Sequence, residues 1–111
     1  MKRILSAFAL CTLSITALAE GTAVGVIQDI HLGPLYGTKV FLKVAGTITS
    51  QPACRTNEFH FGFDSDSAVG RSVLATALAA RSSQQTVRIT GFATCTHWPS
   101  IEDLRTISIA D

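Results

Sequence analysis

The stretch EFHFGFDSDSAVGRSVLATALAARSSQQTVRITGFAT, residues 58–94, decides the fold because it predicts a strand, a helix and a second strand in succession. Its first six residues, 58–63, alternate aromatic side chains with other residues, which is the period of a β-strand. One face of this strand is expected to carry Phe59, Phe61 and Phe63. His60 falls on the opposite face, so the strand is predicted to bury one side only.

Helical periodicity begins just after DSDS, residues 64–67. Apolar residues then recur at the spacing of one helix face, at Val69, Val73, Leu74, Ala77 and Leu78. Asp66 or Ser67 is the expected N-cap. The acidic residues are therefore interpreted as part of a helix start rather than a calcium loop, which needs more ligands and a distal Glu. SSQQ, residues 82–85, ends the helix, and residues 86–94 form the next predicted strand.

Two more strands are predicted before this stretch, over residues 22–30 and 38–49, with the turn LGPLYG between them at residues 32–37. The second strand alternates cleanly, with Val40, Leu42, Val44 and Ile48 on one face and Lys39, Phe41 and Lys43 on the other. A Phe between two outward lysines is either a stray surface aromatic or part of an interface. Together with the small residues of the helix, this lysine-flanked face is predicted to contact other subunits.

A last strand is predicted over residues 103–110, so the order of elements is β-β-β-α-β-β. Five strands and one helix in a small domain favour a mainly β fold, an OB-type Greek-key barrel. In such a fold the helix closes one end of the barrel.

The N-terminus has the organisation of a secretory signal peptide. Lys2 and Arg3 precede an uncharged run from Ile4 to Ala19, which ends in the small-residue pattern of a cleavage site. The run is short for a membrane span, which needs roughly 20 apolar residues. We therefore expect a signal peptide over residues 1–19 and one domain over residues 20–111, secreted or periplasmic in a bacterium.

Loss of the signal peptide would change the charge of the protein. The nine Lys and Arg residues of the whole chain would fall to seven, against eight Asp and Glu residues. No basic stripe remains that could follow a phosphate backbone, so nucleic acid is not an expected partner.

Two of the three cysteines, Cys54 and Cys95, lie outside the predicted signal peptide, which contains Cys11. Two thiols in an oxidising compartment most often form a disulfide. The loop that they close corresponds to roughly 4 kcal/mol of stabilisation by chain-entropy arithmetic. A reactive Cys95 beside His97 is the weaker alternative, since it requires a free, activated thiolate.

Neither a metal site nor an active site is predicted. His31, His60 and His97 accompany the two cysteines, but only Cys95 and His97 are close in sequence, whereas structural zinc prefers two paired ligand motifs. The signatures of common hydrolases are missing from the sequence. We therefore expect no cofactor, no metal and no enzymatic activity.

From EFHF through the helix to TVRITGFATC, the chain resembles the B subunits of Shiga-type bacterial toxins, in which one A subunit joins five B subunits. The tail CTHWPSIEDLRTISIAD, residues 95–111, is similar to the end of the cholera and heat-labile enterotoxin B subunits. The resemblance covers about 55 of the 92 residues that follow the predicted signal peptide. It departs at Cys54, because the partner cysteine in those families lies near the mature N-terminus.

The resemblance implies a ring-forming subunit, a homopentamer, that binds a cell-surface glycan, and an A-type subunit as a further partner. It also implies that Trp98 contacts the sugar, although a single Trp in a small domain is otherwise a core residue. Further ligand candidates are His97, Glu102, Asp64, Ser65 and Asp66. The alternative is a monomeric periplasmic OB-type protein with a structural or inhibitory role and no sugar site.

Overall fold

The computed structural model describes residues 19–110, and the predicted signal peptide therefore lies outside the described residues except for Ala19. The elements are β1 (Thr22–Leu32), a 3₁₀ turn (Pro34–Tyr36), β2 (Lys39–Thr49), β3 (Phe61–Asp64), α1 (Ala68–Ser83), β4 (Thr86–Gly91) and β5 (Glu102–Ile109). The mainly β fold with one helix and the order β-β-β-α-β-β are confirmed.

The five strands form one closed sheet in the order β1-β2-β3-β5-β4, with β4 returning to pair with β1. All neighbouring strands are antiparallel except β3 and β5, which run parallel over the pairs Phe61–Glu102 and Gly62–Asp103. This parallel contact requires a long connection between β3 and β5, and α1 and β4 both belong to that connection.

The interior of the closed sheet is a single apolar core. Its buried members are Ala23, Ile27, Val40, Leu42, Val44, Phe61, Phe63, Ala77, Ala80, Val87, Ile89 and Leu104. The predicted inward face of β2 is therefore correct for Val40, Leu42 and Val44, and Ile48 packs against the same core. From α1, Ala77 and Ala80 are fully buried, since their small side chains allow the helix to lie close to the strands.

The start of α1 agrees with the capping prediction and identifies Ser67 as the N-cap. Its Oγ accepts a hydrogen bond from the Gly70 N–H at 2.9 Å. Gly70 is needed here, because a Cβ at this position would lie 1.9 Å from the carbonyl oxygen of Asp64. The acidic segment before the helix thus packs its backbone directly against the first helical turn.

The prediction for residues 58–63 is wrong at its beginning. The strand starts only at Phe61, and Phe59 does not join Phe61 and Phe63 in the core. The reason lies in His60, whose Nδ1 accepts a hydrogen bond from the Val44 N–H at 3.0 Å. An imidazole thus occupies the place of a backbone acceptor in the ladder, and Phe59 is directed to the outer face of the sheet.

Candidate functional site

A cleft of about 400 Å³ lies on the outer face of the sheet, and we call it the aromatic cleft. It is lined by Asp29, His31, Tyr36, Phe41, Asn57, Glu58, Phe59, Trp98 and Ile101. These residues come from β1, the 3₁₀ turn, β2 and the two loops that flank β3 and β5. The cleft therefore depends on segments that are far apart in the sequence.

A β-bulge in β1 turns two polar side chains towards the cleft. The register between β1 and β2 shifts between Ile27 and Asp29. Ile27 faces the core, and without the extra residue Asp29 would also face inward. After the bulge Asp29 is opposite Lys43 and His31 is opposite Phe41, which places both β1 residues on the outer face.

Phe41 forms the base of the cleft. Its side chain is only 1% exposed although it points away from the core. Tyr36 meets it edge-on with ring centroids 5.2 Å apart, and Trp98 does so at 5.4 Å. The prediction that Phe41 offers a surface to another subunit is therefore wrong, because aromatic residues of the same chain cover it.

The two lysines that flank Phe41 form ion pairs with carboxylates of this chain. Lys39 Nζ lies 2.8 Å from an oxygen of Asp64, and Lys43 Nζ lies 3.7 Å from an oxygen of Glu58. Both lysines of this strand face are therefore already paired with carboxylates of the same chain.

His31 connects the two sides of the aromatic cluster. Its ring stacks on Phe59 with centroids 5.0 Å apart and planes inclined by 28°. Its Nε2 lies 3.1 Å from the Tyr36 hydroxyl, so the two groups share a hydrogen bond. The hydroxyl and the imidazole thereby hold the 3₁₀ turn and the loop before β3 in one arrangement.

The predicted disulfide between Cys54 and Cys95 is present, and it joins the two loops that carry Asn57 and Trp98. Hydrogen bonds reinforce the same junction, because the backbone N–H groups of Thr56 and Asn57 both donate to the Ser100 carbonyl at 3.1 Å. The Asn57 amide also donates to the Ser100 hydroxyl at 3.1 Å. One wall of the cleft is thus fastened to the other.

Trp98 begins a tight turn in which the Ile101 N–H donates to the Trp98 carbonyl at 3.2 Å. Pro99 occupies the second position of that turn, where its fixed φ is favourable. The ring of Trp98 is partly buried, since it meets both Tyr36 and Phe41 at centroid distances of 5.4 Å, and it still lines the cleft. Trp98 therefore contributes both to packing and to the wall of the cleft.

Asp103 holds the segment that leads into this turn. Its carboxylate accepts hydrogen bonds from the N–H groups of Thr96 and His97 and from the hydroxyls of Thr94 and Thr96, at 2.6–3.0 Å. Burial raises the pKa of Asp103, but these hydrogen bonds outweigh it and hold the pKa below its ordinary value. The ionised carboxylate thus fixes the conformation of the loop through these hydrogen bonds.

The remaining predicted residues do not join Trp98. His97 and Asp64 line a separate groove of about 270 Å³ beside α1, together with Phe92 and Arg105. The hydrogen bond from Lys39 holds the pKa of Asp64 well below its usual range, and a second Asp64 oxygen accepts from the Asp66 N–H at 2.9 Å. Ser65 donates its hydroxyl to the Thr38 carbonyl at 2.8 Å. These acidic-loop side chains mainly organise the approach to α1.

Glu102 is the predicted residue that lies deepest, with 1% of its surface exposed. Its carboxylate accepts hydrogen bonds from the N–H groups of Gly21 and Ala93, both at 3.0 Å. A Cβ on either Gly21 or Gly91 would overlap this carboxylate. Glu102 therefore ties the start of β1 to the end of β4, and we do not include it in the candidate site.

Sequence reasoning missed most of the aromatic cleft. In the sequence, Tyr36 falls within a predicted turn, His31 is considered only as a metal ligand, and Phe59 lies on the predicted buried face of the strand. One signal was available: Phe41 is a large apolar side chain on the outward face of β2, where it is either exposed or covered by other residues of the chain. The bulge that places Asp29 and His31 beside Phe41 has no comparable signature in the sequence.

The cleft combines aromatic rings with a few polar side chains, a lining that is common in small-ligand sites. Its aromatic lining includes Phe41 and Trp98, and its polar lining includes the carboxylates of Asp29 and Glu58 and the amide of Asn57. Among residues 19–110, no three His, Cys, Asp or Glu side chains are grouped so that they could hold a metal ion. Within the same residues, no helix is sufficiently long and apolar to span a membrane.

Comparison with protein-family models, with curated proteins and with solved structures found no match to this chain.

Proposed function

We propose that this protein is a secreted glycan-binding protein and that the aromatic cleft is its sugar site. The observation that carries the proposal is a partly buried Trp98 that lines a cleft together with two carboxylates and an amide. Small-ligand sites commonly combine an apolar, aromatic lining with a few polar groups that fix orientation.

A sugar ring offers two kinds of chemical group that match this surface. Its C–H groups pack against an aromatic ring, and its hydroxyls donate to carboxylate oxygens such as those of Asp29 and Glu58. The disulfide, the Asn57–Ser100 hydrogen bonds and the Asp103 carboxylate hold the walls in place before any ligand arrives. A preorganised site loses less conformational entropy on binding, which matters for a ligand that offers few contacts.

The proposed fold type is the OB barrel. It is supported by the closed strand order β1-β2-β3-β5-β4 and by the position of α1 between β3 and β4. OB-type barrels bind oligosaccharides on the face of strands 2 and 3, together with the loops between strands 1 and 2 and between strands 4 and 5. The aromatic cleft lies over β1 and β2 and the loops beside them, which is compatible with that mode.

A ring of subunits, as in the toxin B subunits that the sequence resembles, would raise the avidity of a weak sugar site. After Phe41 is excluded, the exposed side of α1 remains as the candidate contact, where Val69 is 74% and Leu78 is 52% exposed. Because its own chain covers Phe41, one of the two predicted subunit contacts is lost. This loss supports the second candidate, a monomeric OB-type protein with a structural or inhibitory role and no sugar site. Light scattering distinguishes a pentamer from a monomer by a fivefold difference in mass.

The sugar site can be tested through the fluorescence of Trp98, the only tryptophan in the chain. A glycan array first identifies the sugars that bind the purified protein. Titration with those sugars should then shift or quench the Trp98 emission along a saturable curve. Glycans that bind on the array without changing this emission would place the sugar elsewhere and contradict the proposal.

Substitutions separate binding from folding. Trp98→Ala should abolish sugar binding measured by calorimetry, and it should also lower the melting temperature, since Trp98 packs on Phe41 and Tyr36. Trp98→Phe keeps an aromatic ring on Phe41 while shortening the wall, and is expected to weaken binding with a smaller loss of stability. The matched control is Phe92→Ala, because Phe92 is 54% exposed and does not line the cleft. Full binding by a folded Trp98→Ala protein would contradict the assignment.

A further inference from the structure

The charged groups around the aromatic cleft are distributed unevenly. Two carboxylates, Asp29 and Glu58, line it, and no lysine or arginine does so among the described residues. Within residues 19–110, Asp29 makes no ion pair, and its side chain is exposed. Glu58 is 71% exposed and has Lys43 at 3.7 Å. The side chains that a ligand contacts in the cleft therefore include two carboxylates and no lysine or arginine.

The basic side chains near the cleft already make contacts within this chain. Lys43 is opposite Asp29 in the strand register but its Nζ lies against Glu58. Arg55 donates from Nη1 to the Asn57 carbonyl at 3.0 Å and from Nη2 to Gln51. His31 shares its Nε2 with the Tyr36 hydroxyl. Arg55 has no carboxylate partner among residues 19–110, but its guanidinium is held by these hydrogen bonds and does not line the cleft.

We propose, resting on the proposed sugar site, that the cleft selects uncharged sugars and discriminates against acidic ones. A carboxylate is an acceptor only, so it is matched by the hydroxyl groups of a neutral sugar, each of which can donate a proton. A sialic acid, a uronic acid or a sulfated sugar brings a second anion to the same place. It would lose hydration there without gaining a cationic partner.

The expected discrimination is about fivefold, the factor that corresponds to like charges roughly 4 Å apart in water, because both carboxylates are exposed. It should decrease at high ionic strength, because exposed charges are screened over distances of about 10 Å at 0.1 M salt. Discrimination that arose from shape alone would not depend on salt in this way.

The test begins with an array that presents neutral, sialylated and sulfated glycans together to the purified protein. Neutral glycans should give the strong signals. If the acidic glycans bind as well or better, this inference is overturned while the sugar-binding function stands. If no glycan of any class binds, the proposed function fails and the inference fails with it.

Matched ligands then isolate the charge. Calorimetry compares the methyl glycoside of the preferred hexose with that of its uronic acid, in which a carboxylate replaces the hydroxymethyl group at C6 and the rest of the sugar is unchanged. Asp29→Asn and Glu58→Gln should each bring the affinity for the uronic acid closer to the affinity for the neutral glycoside. Glu20→Gln is the control, since Glu20 pairs with Arg105 and does not line the cleft. A ratio that is unchanged in both cleft variants would overturn the assignment to these carboxylates.

Discussion

The protein has two apolar clusters, one on each side of β2, and they are built in different ways. The inner cluster takes Val40, Leu42 and Val44 from this strand and consists of strand and helix residues. The outer cluster takes Phe41 and covers it with Tyr36, Phe59 and Trp98, which all lie outside the strands.

This difference explains why only the outer cluster resembles a binding site. The inner residues are positioned by the regular hydrogen bonds of the closed sheet. The outer residues are positioned by a disulfide and by the carboxylate of Asp103, and His31 connects two of them. Loops held on a rigid sheet commonly carry function because they can present side chains that a packed core cannot.

The largest effect should come from comparing Phe61 with Phe59, two residues of one type that lie on opposite sides of the sheet. Phe61→Ala removes a fully buried core ring and is expected to lower the free energy of unfolding by about 3–5 kcal/mol. Phe59→Ala removes a partly buried ring and should cost about 1–2 kcal/mol. Urea denaturation measures both values. Equal costs would mean that the outer cluster is as much a core as the inner one.

Removal of the disulfide should affect the outer cluster before the inner one. With Cys54→Ala and Cys95→Ala combined, the chain-entropy estimate is a loss of about 4 kcal/mol. Because the bridge joins the loops of Asn57 and Trp98, the Trp98 emission should change while the far-ultraviolet circular dichroism of the sheet remains. A loss of stability with unaltered Trp98 emission would show that the bridge does not support the cleft.

The adjacent buried carboxylates of Asp103 and Glu102 allow a further test of the difference between the two clusters, with a smaller expected effect on stability. Asp103→Asn weakens the acceptor for the Thr96 and His97 N–H groups, and hydrogen bonds to a charged group contribute about 1.5–3 kcal/mol. Glu102→Gln weakens the acceptor for Gly21 and Ala93 at the start of β1 and the end of β4. Both variants should melt at lower temperature, but only Asp103→Asn should alter the Trp98 emission. The reverse pattern would contradict the roles assigned here.

The smallest effect is expected from His60, which lies where β3 begins. Burial is the main cause that lowers the pKa of His60 below 6.5, and the positive charges of Arg55 and Lys43 add to it. The unfolded chain therefore binds the proton more readily, so the stabilisation is complete above about pH 6.5 and is lost as the pH falls through the folded-state pKa. The melting temperature should drop less between pH 7.5 and pH 5.5 in His60→Gln than in the parent protein. An equal drop would assign the effect to other groups.

Periodicity alone was sufficient for most of the fold. The alternation in residues 38–49 identified the inward face of β2, and the spacing from Val69 to Leu78 identified α1 with Ser67 as one of two candidate caps. Both predictions succeeded because they depend on repeating geometry within one segment. The Cys54–Cys95 pairing also followed from counting cysteines outside the predicted signal peptide.

The sequence by itself therefore determined the elements, the core face of β2 and the disulfide, since each is specified by local spacing or by the number of cysteines. Only the tertiary structure decided which side chains share the aromatic cleft. The bulge after Ile27 reverses the faces of Asp29 and His31, and the imidazole of His60 directs Phe59 outward. The tertiary structure also places the sequence neighbours His97 and Trp98 in different grooves, and it buries Glu102. These outcomes depend on hydrogen bonds between distant segments, for which the periodicity of a single segment carries no signal.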